Sequence, residues 1–304
     1  MESILKKRRV VVLMSTYNGE KYLREQIDSI LTQKGIDVQL IVRDDGSKDG
    51  TVSILKEYQQ KGALWYYTGE NLGPKYSFLH LLREAPPCDF YAFSDQDDVW
   101  LSEKLYHGIG LLQDDDDSPA LYFSQTQQTD ETLHAIPYPL IHPRLTFGES
   151  LIYAYASGCT MIFNDKLRSI TLSYHPSFLD MHDRWLINLT TAFNGHLVFD
   201  KNPYILYRQH AHNVIGLHDN KWKEWKLRLH RIFQREQIRS KTAQELLTGY
   251  QNQLPQEHQE MLTLFTNAKN NYKLRIKLLF DSRFRCGNPK TWFLFKLAVI
   301  ANSY

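Results

Sequence analysis

Val10, Val11, Val12, Leu13 and Met14 form an unbroken apolar run, largely β-branched, that reads as the first strand. Leu23, Ile27, Ile30 and Leu31 then recur at helical spacing and predict a helix over 20–33. Residues 38–42 read as a second strand. It ends in the turn-rich octet Asp44-Asp45-Gly46-Ser47-Lys48-Asp49-Gly50-Thr51, which could cap a helix beginning near Thr51. A third strand is expected over 64–68, and the loop 70–75 leads into a helix through Leu82. Residues 90–93 are again continuously apolar and run straight into Ser94-Asp95-Gln96-Asp97-Asp98-Val99-Trp100. Strand and helix signals that alternate in this way predict βα units on a mostly parallel sheet. Ligands of such sheets bind outside the carboxyl ends of the strands, where these polar clusters stand, so one shared crevice is expected. From 121 to 206 the pattern is mixed, with short strands, a helix over 183–193 and a strand at 197–198.

A chain of 304 residues with 42% apolar residues can bury one large core or two small ones. No apolar run approaches the roughly 20 residues of a membrane-spanning helix, and 10–14 is shorter than the about 7 residues of a signal-peptide core, so a cytoplasmic location is expected. Cys88, Cys159 and Cys286 lie far apart, at neither metal-ligand nor redox spacing, and read as small apolar residues. Charge is unevenly distributed: residues 1–220 hold 20 Lys and Arg against 28 Asp and Glu, whereas 221–304 hold 16 against 6. A basic appendage of this kind suits a polyanion or an anionic membrane surface.

Asp95, Asp97 and Asp98 place three carboxylates within four residues, directly after a buried strand. Crowded buried carboxylates call for a cation, and Mg²⁺ or Mn²⁺ suits carboxylates combined with a substrate diphosphate. The same residues could instead cap a helix start. Residues 114–117, four consecutive Asp, read as a solvated loop because neighbouring carboxylates repel one another.

Ser15-Thr16-Tyr17-Asn18-Gly19, then Asp44-Asp45-Gly46-Ser47 with Asp49-Gly50-Thr51, then Asp95-Gln96-Asp97-Asp98 resemble the successive signatures of family 2 glycosyltransferases with the GT-A fold. The resemblance implies an α/β, Rossmann-like catalytic domain over 1–220, with a nucleotide-sugar half to about 110 and an acceptor half beyond it. A basic, amphipathic helical extension over 221–304 would follow. It further implies that Thr16, Tyr17, Asn18, Asp44, Asp45 and Asn71 hold the nucleotide sugar, with Asp95 near the ribose or sugar and Asp97 on the metal. A narrower resemblance rests on residues 93–100, His182-Asp183-Arg184-Trp185-Leu186, Tyr207-Arg208-Gln209-His210 and Asn213-Val214-Ile215-Gly216. These are similar to bacterial rhamnosyltransferases of rhamnan and O-antigen synthesis, although Ala211-His212 departs from their pattern. The implied donor is dTDP-β-L-rhamnose, the acceptor a polyprenyl-diphosphate-linked saccharide and the link α-1,3, formed with inversion. Asp183 matches the family's general base, with Asp180 as the fallback and helix capping as its other role. Lys75, Arg208 and His210 are expected to reach the diphosphate.

In the tail, Trp222, Trp225, Leu229, Ile232 and Phe233 share a helical face, flanked by Lys221, Arg228, Arg231 and Arg235. Residues 273–280 and 292–300 repeat this mixture of aromatic, aliphatic and basic residues. Such helices lie in a membrane interface, or pack on the catalytic domain or on a second subunit, as in a homodimer. A UDP-hexose transferase and a non-catalytic nucleotide-sugar scaffold are the alternatives. Nucleic acid is not the expected partner, and the absence of Gly-x-Gly-x-x-Gly after the first strand argues against a dinucleotide-dependent dehydrogenase.

Overall fold

A computed structural model of the chain describes residues 8–112, 117–210 and 237–304. Asp114 to Asp116 of the acidic run, the Ala211-His212 departure with Asn213 to Gly216, and the tail stripe from Lys221 to Arg235 lie outside the described residues.

The first half follows the expected βα order: β1 (Arg9–Thr16), α1 (Leu23–Leu31), β2 (Asp37–Asp44), α2 (Thr51–Gln60), β3 (Trp65–Thr68), α3 (Pro74–Glu84) and β4 (Phe90–Ser94). Then come β5 (Val99–Trp100), α4 (Lys104–Leu111), β6 (Ala120–Ser124), β7 (Gln127–Thr129), α5 (Phe147–Ile152), β8 (Ile162–Asn164), α6 (Asp165–Leu172), α7 (His182–Ala192), β9 (His196–Asp200) and β10 (Ile205–Arg208). Four helices close the chain, α8 (Ile238–Tyr250), α9 (Gln256–Asn267), α10 (Tyr272–Phe280) and α11 (Pro289–Ile300).

Among the described residues the main sheet has seven strands in the order β3-β2-β1-β4-β8-β6-β9, and β5-β10-β7 form a second sheet. β8 alone runs antiparallel to its neighbours β4 and β6, so the main sheet is mixed but mostly parallel. The parallel strands put the ends of β1, β2 and β4 on one edge.

Strand periodicity divides the core into two layers. Val11 and Leu13 of β1 face a cluster with α3, α5 and α7, whereas Val10, Val12 and Met14 face one with α1, α2 and α4. Each such fully buried side chain contributes roughly 1.5–3 kcal/mol. The first cluster extends through Ala243, Leu246, Tyr250, Phe265, Leu278 and Phe295, so the helices from Ile238 onward share a core with the sheet. Glu245 pins this packing by accepting hydrogen bonds from the Ser177 and Phe178 N–H groups at 3.0 and 3.1 Å.

α1 begins at Leu23, later than the periodicity predicts, and the turn that precedes it is tied to the octet. Gly19 donates to Thr51 Oγ1 at 2.8 Å and Glu20 to Asp49 Oδ2 at 3.1 Å. No helix among the described residues is long and apolar enough to cross a membrane.

Candidate active site

The loops after β1, β2 and β4 brace one another. Asn18, in left-handed backbone with φ 49°, donates its N–H to Ser47 Oγ at 2.9 Å and accepts the Lys48 N–H on Oδ1 at 2.8 Å. Asp44 is buried and closes its own turn, accepting the Gly46 and Ser47 N–H groups at 3.1 and 3.0 Å and the Thr16 hydroxyl at 3.3 Å. Asp45 is ion-paired with Arg43, and its Oδ2 accepts the Leu72 and Gly73 N–H groups at 3.0 and 2.9 Å. Gly73 has φ 71°, which a side chain would strain, and that turn sets Pro74 at the start of α3.

Beneath this edge lies a cavity of about 270 Å³. Thr16, Tyr17, Asp45, Asn71, Asp95, Asp97 and Asp183 line it, joined by Gln96, Phe78, Ser157, Gly158, Met181, His182 and Tyr207. An adjoining cavity of about 550 Å³ adds Asn18, Lys21, Glu131 and His210.

The acidic cluster turns inward. Asp98 is buried, its Oδ1 accepts the Arg208 N–H at 3.1 Å, and its Oδ2 has no hydrogen-bond partner. Burial, with Asp97 and Asp183 nearby, pushes Asp95 up to about 7, while burial and the charges of Asp97 and Asp95 push Asp98 well up. Under the cluster stands Lys104, fully buried, its Nζ 3.6 Å from the centre of the Trp100 ring and without a hydrogen bond. Burial lowers it to about 7, opposed by Cys159 and Asp98.

Asp183 stands in the first turn of α7, where its Oδ1 accepts the Arg184 N–H at 2.6 Å. Burial raises it to about 6; Asp180 adds to the rise, and the Arg184 and Gly158 backbone groups oppose it. Such a value suits a base working near neutral pH. Asp180 is instead tied to Arg184 at 2.9 Å. Beside the base, His182 is buried with both ring nitrogens unpartnered, stacked on Phe78 at 4.1 Å between ring centres and edge-on to Phe93 at 5.0 Å. Burial lowers it to about 3, which keeps the imidazole neutral.

Three expected ligand residues do not reach the cavity wall. The Asp44 carboxylate is spent on its turn, and Lys75 Nζ donates to the Leu179 carbonyl at 3.0 Å. Arg208 is buried and donates to the Asp97 carbonyl at 2.9 Å and to Glu25 at 2.5 Å, so its guanidinium buttresses the acidic turn. His210 Nε2 lies 2.9 Å from Asp97 Oδ2. Gln96, His182 and Gly158 line the cavity and Lys104 stands under it, though the sequence does not single them out. The first two stood inside the quoted signatures, whereas Gly158 and Lys104 carried no local signal.

The donor set fits a hard divalent cation. Asp98 Oδ2 is buried without a partner, the three carboxylates repel one another, and ligand atoms of Asp95, Asp98 and Cys159 lie within 4.8 Å of one another. Cys159 is the poor member, because burial pushes its thiol well up and a neutral thiol does not suit such an ion. Asp97, close enough to raise both Asp95 and Asp98, pairs its Oδ2 with His210 Nε2 instead.

Known proteins resemble the chain in sequence and in fold. The chain is 27% identical over 226 residues to the dTDP-rhamnosyl transferase RfbG of Shigella flexneri, covering 67% of this chain and 73% of that protein. An uncharacterised glycosyltransferase of Rickettsia typhi is 26% identical over 161 residues, 50% of this chain and 49% of its own length. S. aureus TarS 1–349 in complex with UDP-GlcNAc shares the fold at a TM-score of 0.57 and 17% identity, covering 97% of this chain and 89% of that one. So does the mannosyltransferase PcManGT of Pyrobaculum calidifontis in complex with GDP-Man and Mn²⁺, at a TM-score of 0.55 and 16% identity over 98% and 86% of the two chains. The model of glycosyl transferase family 2 matches residues 11–170, and the chain belongs to that family of enzymes.

Proposed function

We propose that this chain is an inverting rhamnosyltransferase that moves L-rhamnose from dTDP-β-L-rhamnose to a lipid-linked saccharide, forming an α-1,3 link. The observation that carries the reading is the single cavity in which Asp183, raised to about 6, meets Asp95, Asp97, Thr16, Tyr17 and Asn71. The acceptor hydroxyl oxygen bonds to the anomeric carbon, the bond from that carbon to the diphosphate breaks, and the hydroxyl proton passes to Asp183. Attack from the face opposite the leaving group turns a β donor into an α product. A Mg²⁺ or Mn²⁺ ion held by the carboxylates of Asp95, Asp97 and Asp98 would neutralise charge on the departing diphosphate. Thr16, Tyr17 and Asn71 bind the nucleotide. Asp44, Asp45 and Asn18 hold the loops that present those groups, and Arg208 steadies the acidic turn.

Two observations support rhamnose. One is the 27% identity to a dTDP-rhamnosyl transferase. The other is the apolar wall of Pro74, Phe78 and Met181, which suits the methyl group of a 6-deoxyhexose. The acceptor is read as polyprenyl-linked, which places the reaction at a membrane surface.

A panel of nucleotide sugars, assayed for transfer and hydrolysis with and without chelator, tests the reading. Metal-dependent turnover of dTDP-rhamnose is expected. Turnover of a UDP-hexose alone would replace the donor assignment.

A further inference from the structure

The last two helices carry an apolar surface that stays exposed among the described residues. α10 turns Leu278 into the core and packs Leu274 and Leu279 against it. Tyr272, Ile276 and Phe280 recur every fourth residue on another stripe and are 66%, 52% and 80% exposed. On α11, Phe293 and Ile300 are 56% and 61% exposed. Lys296 lies on the same stripe between them, and its Nζ stands 4.0 Å from the Trp292 ring centre and 6.0 Å from that of Phe280. The two stripes are therefore neighbours. Isolated exposed apolar residues are ordinary, but five large ones on adjoining helices make a patch that marks an interaction surface.

Within these two helices and the turn that joins them the charge is nearly all of one sign. Residues 272–300 contain seven Lys and Arg but only one acid, Asp281, which is held by Arg283 at 2.6 Å. Lys273, Lys277 and Lys290 are exposed. A partner must therefore combine negative charge with an apolar interior. A second copy of this chain fits poorly, since a two-fold contact would set the lysines of one patch against those of the other. An anionic bilayer supplies both features, with headgroups for the ammonium groups and an acyl boundary for Phe280, Ile276 and Phe293. Helices of 9 and 12 residues are too short to span the roughly 20-residue depth of a bilayer and suit lying in its surface.

We propose that the joint face of α10 and α11 docks the enzyme on anionic lipid. The inference extends the reading of a lipid-linked acceptor, yet its test measures binding and stands apart from transfer.

The full chain is sedimented with phosphatidylcholine vesicles and with vesicles containing phosphatidylglycerol, across a salt series. Binding to the anionic vesicles that weakens with salt is expected. Phe280→Ser with Phe293→Ser, and separately Lys273→Glu with Lys277→Glu, should each lower the apparent affinity by about tenfold or more. Both double variants should melt like the parent and turn over a soluble acceptor at its rate. Failure of the parent to bind anionic vesicles, or binding that neither double variant weakens, overturns the proposal. A concentration-dependent dimer that the variants break, in a protein without vesicle binding, assigns the face to self-association and overturns it too. Vesicle binding by a protein that transfers no rhamnose leaves the docking face standing while the donor assignment falls.

Discussion

Gln96 grips the backbone of Tyr17 with both ends of its amide: Oε1 accepts the Tyr17 N–H at 2.8 Å and Nε2 donates to the Tyr17 carbonyl at 3.1 Å. The pair couples the loop after β1, which is read as binding the nucleotide, to the acidic turn after β4. Gly19 leaves room for it, since a Cβ there would stand 2.3 Å from Gln96 Oε1.

Gln96→Ala removes both bonds, each contributing about 1 kcal/mol. The two loops then move independently, and the donor KM is expected to rise roughly tenfold with a smaller change in kcat at saturating donor. Steady-state kinetics over a donor series checks this. An unchanged KM would mean that the clamp does not position the donor.

Asp183 must be ionised to accept a proton, and its value is raised to about 6, chiefly by burial. The kcat/KM of the enzyme should therefore fall as pH drops through about 6, approaching tenfold per pH unit, and level off above it. Asp180→Asn takes away a charge that raises Asp183, so the acidic limb should move to lower pH. A pH–rate profile of both proteins decides the matter. A limb in the same place in the two would detach it from Asp183.

A Cβ at Gly158 would lie 2.6 Å from His182 Nε2 and 3.4 Å from Asp183 Cβ. His182 is wedged against Phe78 and Phe93, so Gly158→Ala should push the start of α7 and misplace the base. A loss of about 10²-fold in kcat is expected, together with about 1–3 kcal/mol of stability. Kinetics and thermal melting measure the two effects separately.

The parts of the fold legible in the sequence were those set by local pattern. β1 and β4 announce themselves because both of their faces are buried, and Asp95 to Asp98 stand out because carboxylates directly follow such a strand. The antiparallel insertion of β8 between β4 and β6 left no trace in a segment of 3 residues. Cys159 comes to Asp95 and Asp98 through a short turn, Gly158–Thr160, without periodicity. Lys104 reads as an ordinary residue of a helix start, and only tertiary packing under Trp100 buries it. For Asp44, Lys75 and Arg208 the residue type is informative, but the partner is not. A carboxylate that closes a turn and one that faces a ligand look alike in sequence, and the distinction lies in the N–H groups that fold back on it, such as those of Gly46 and Ser47. The last two helices are legible as basic and apolar, whereas their exposed stripe depends on tertiary packing, which turns Leu278 and Phe295 into the core.

Single-turnover transfer by Asp183→Asn, at saturating dTDP-rhamnose and Mn²⁺ with donor binding measured in parallel, bears most directly on the central claim. A fall of about 10²–10⁴-fold in the transfer rate with donor binding preserved is the expected result. Transfer at the parental rate would contradict the assignment of Asp183 as the base.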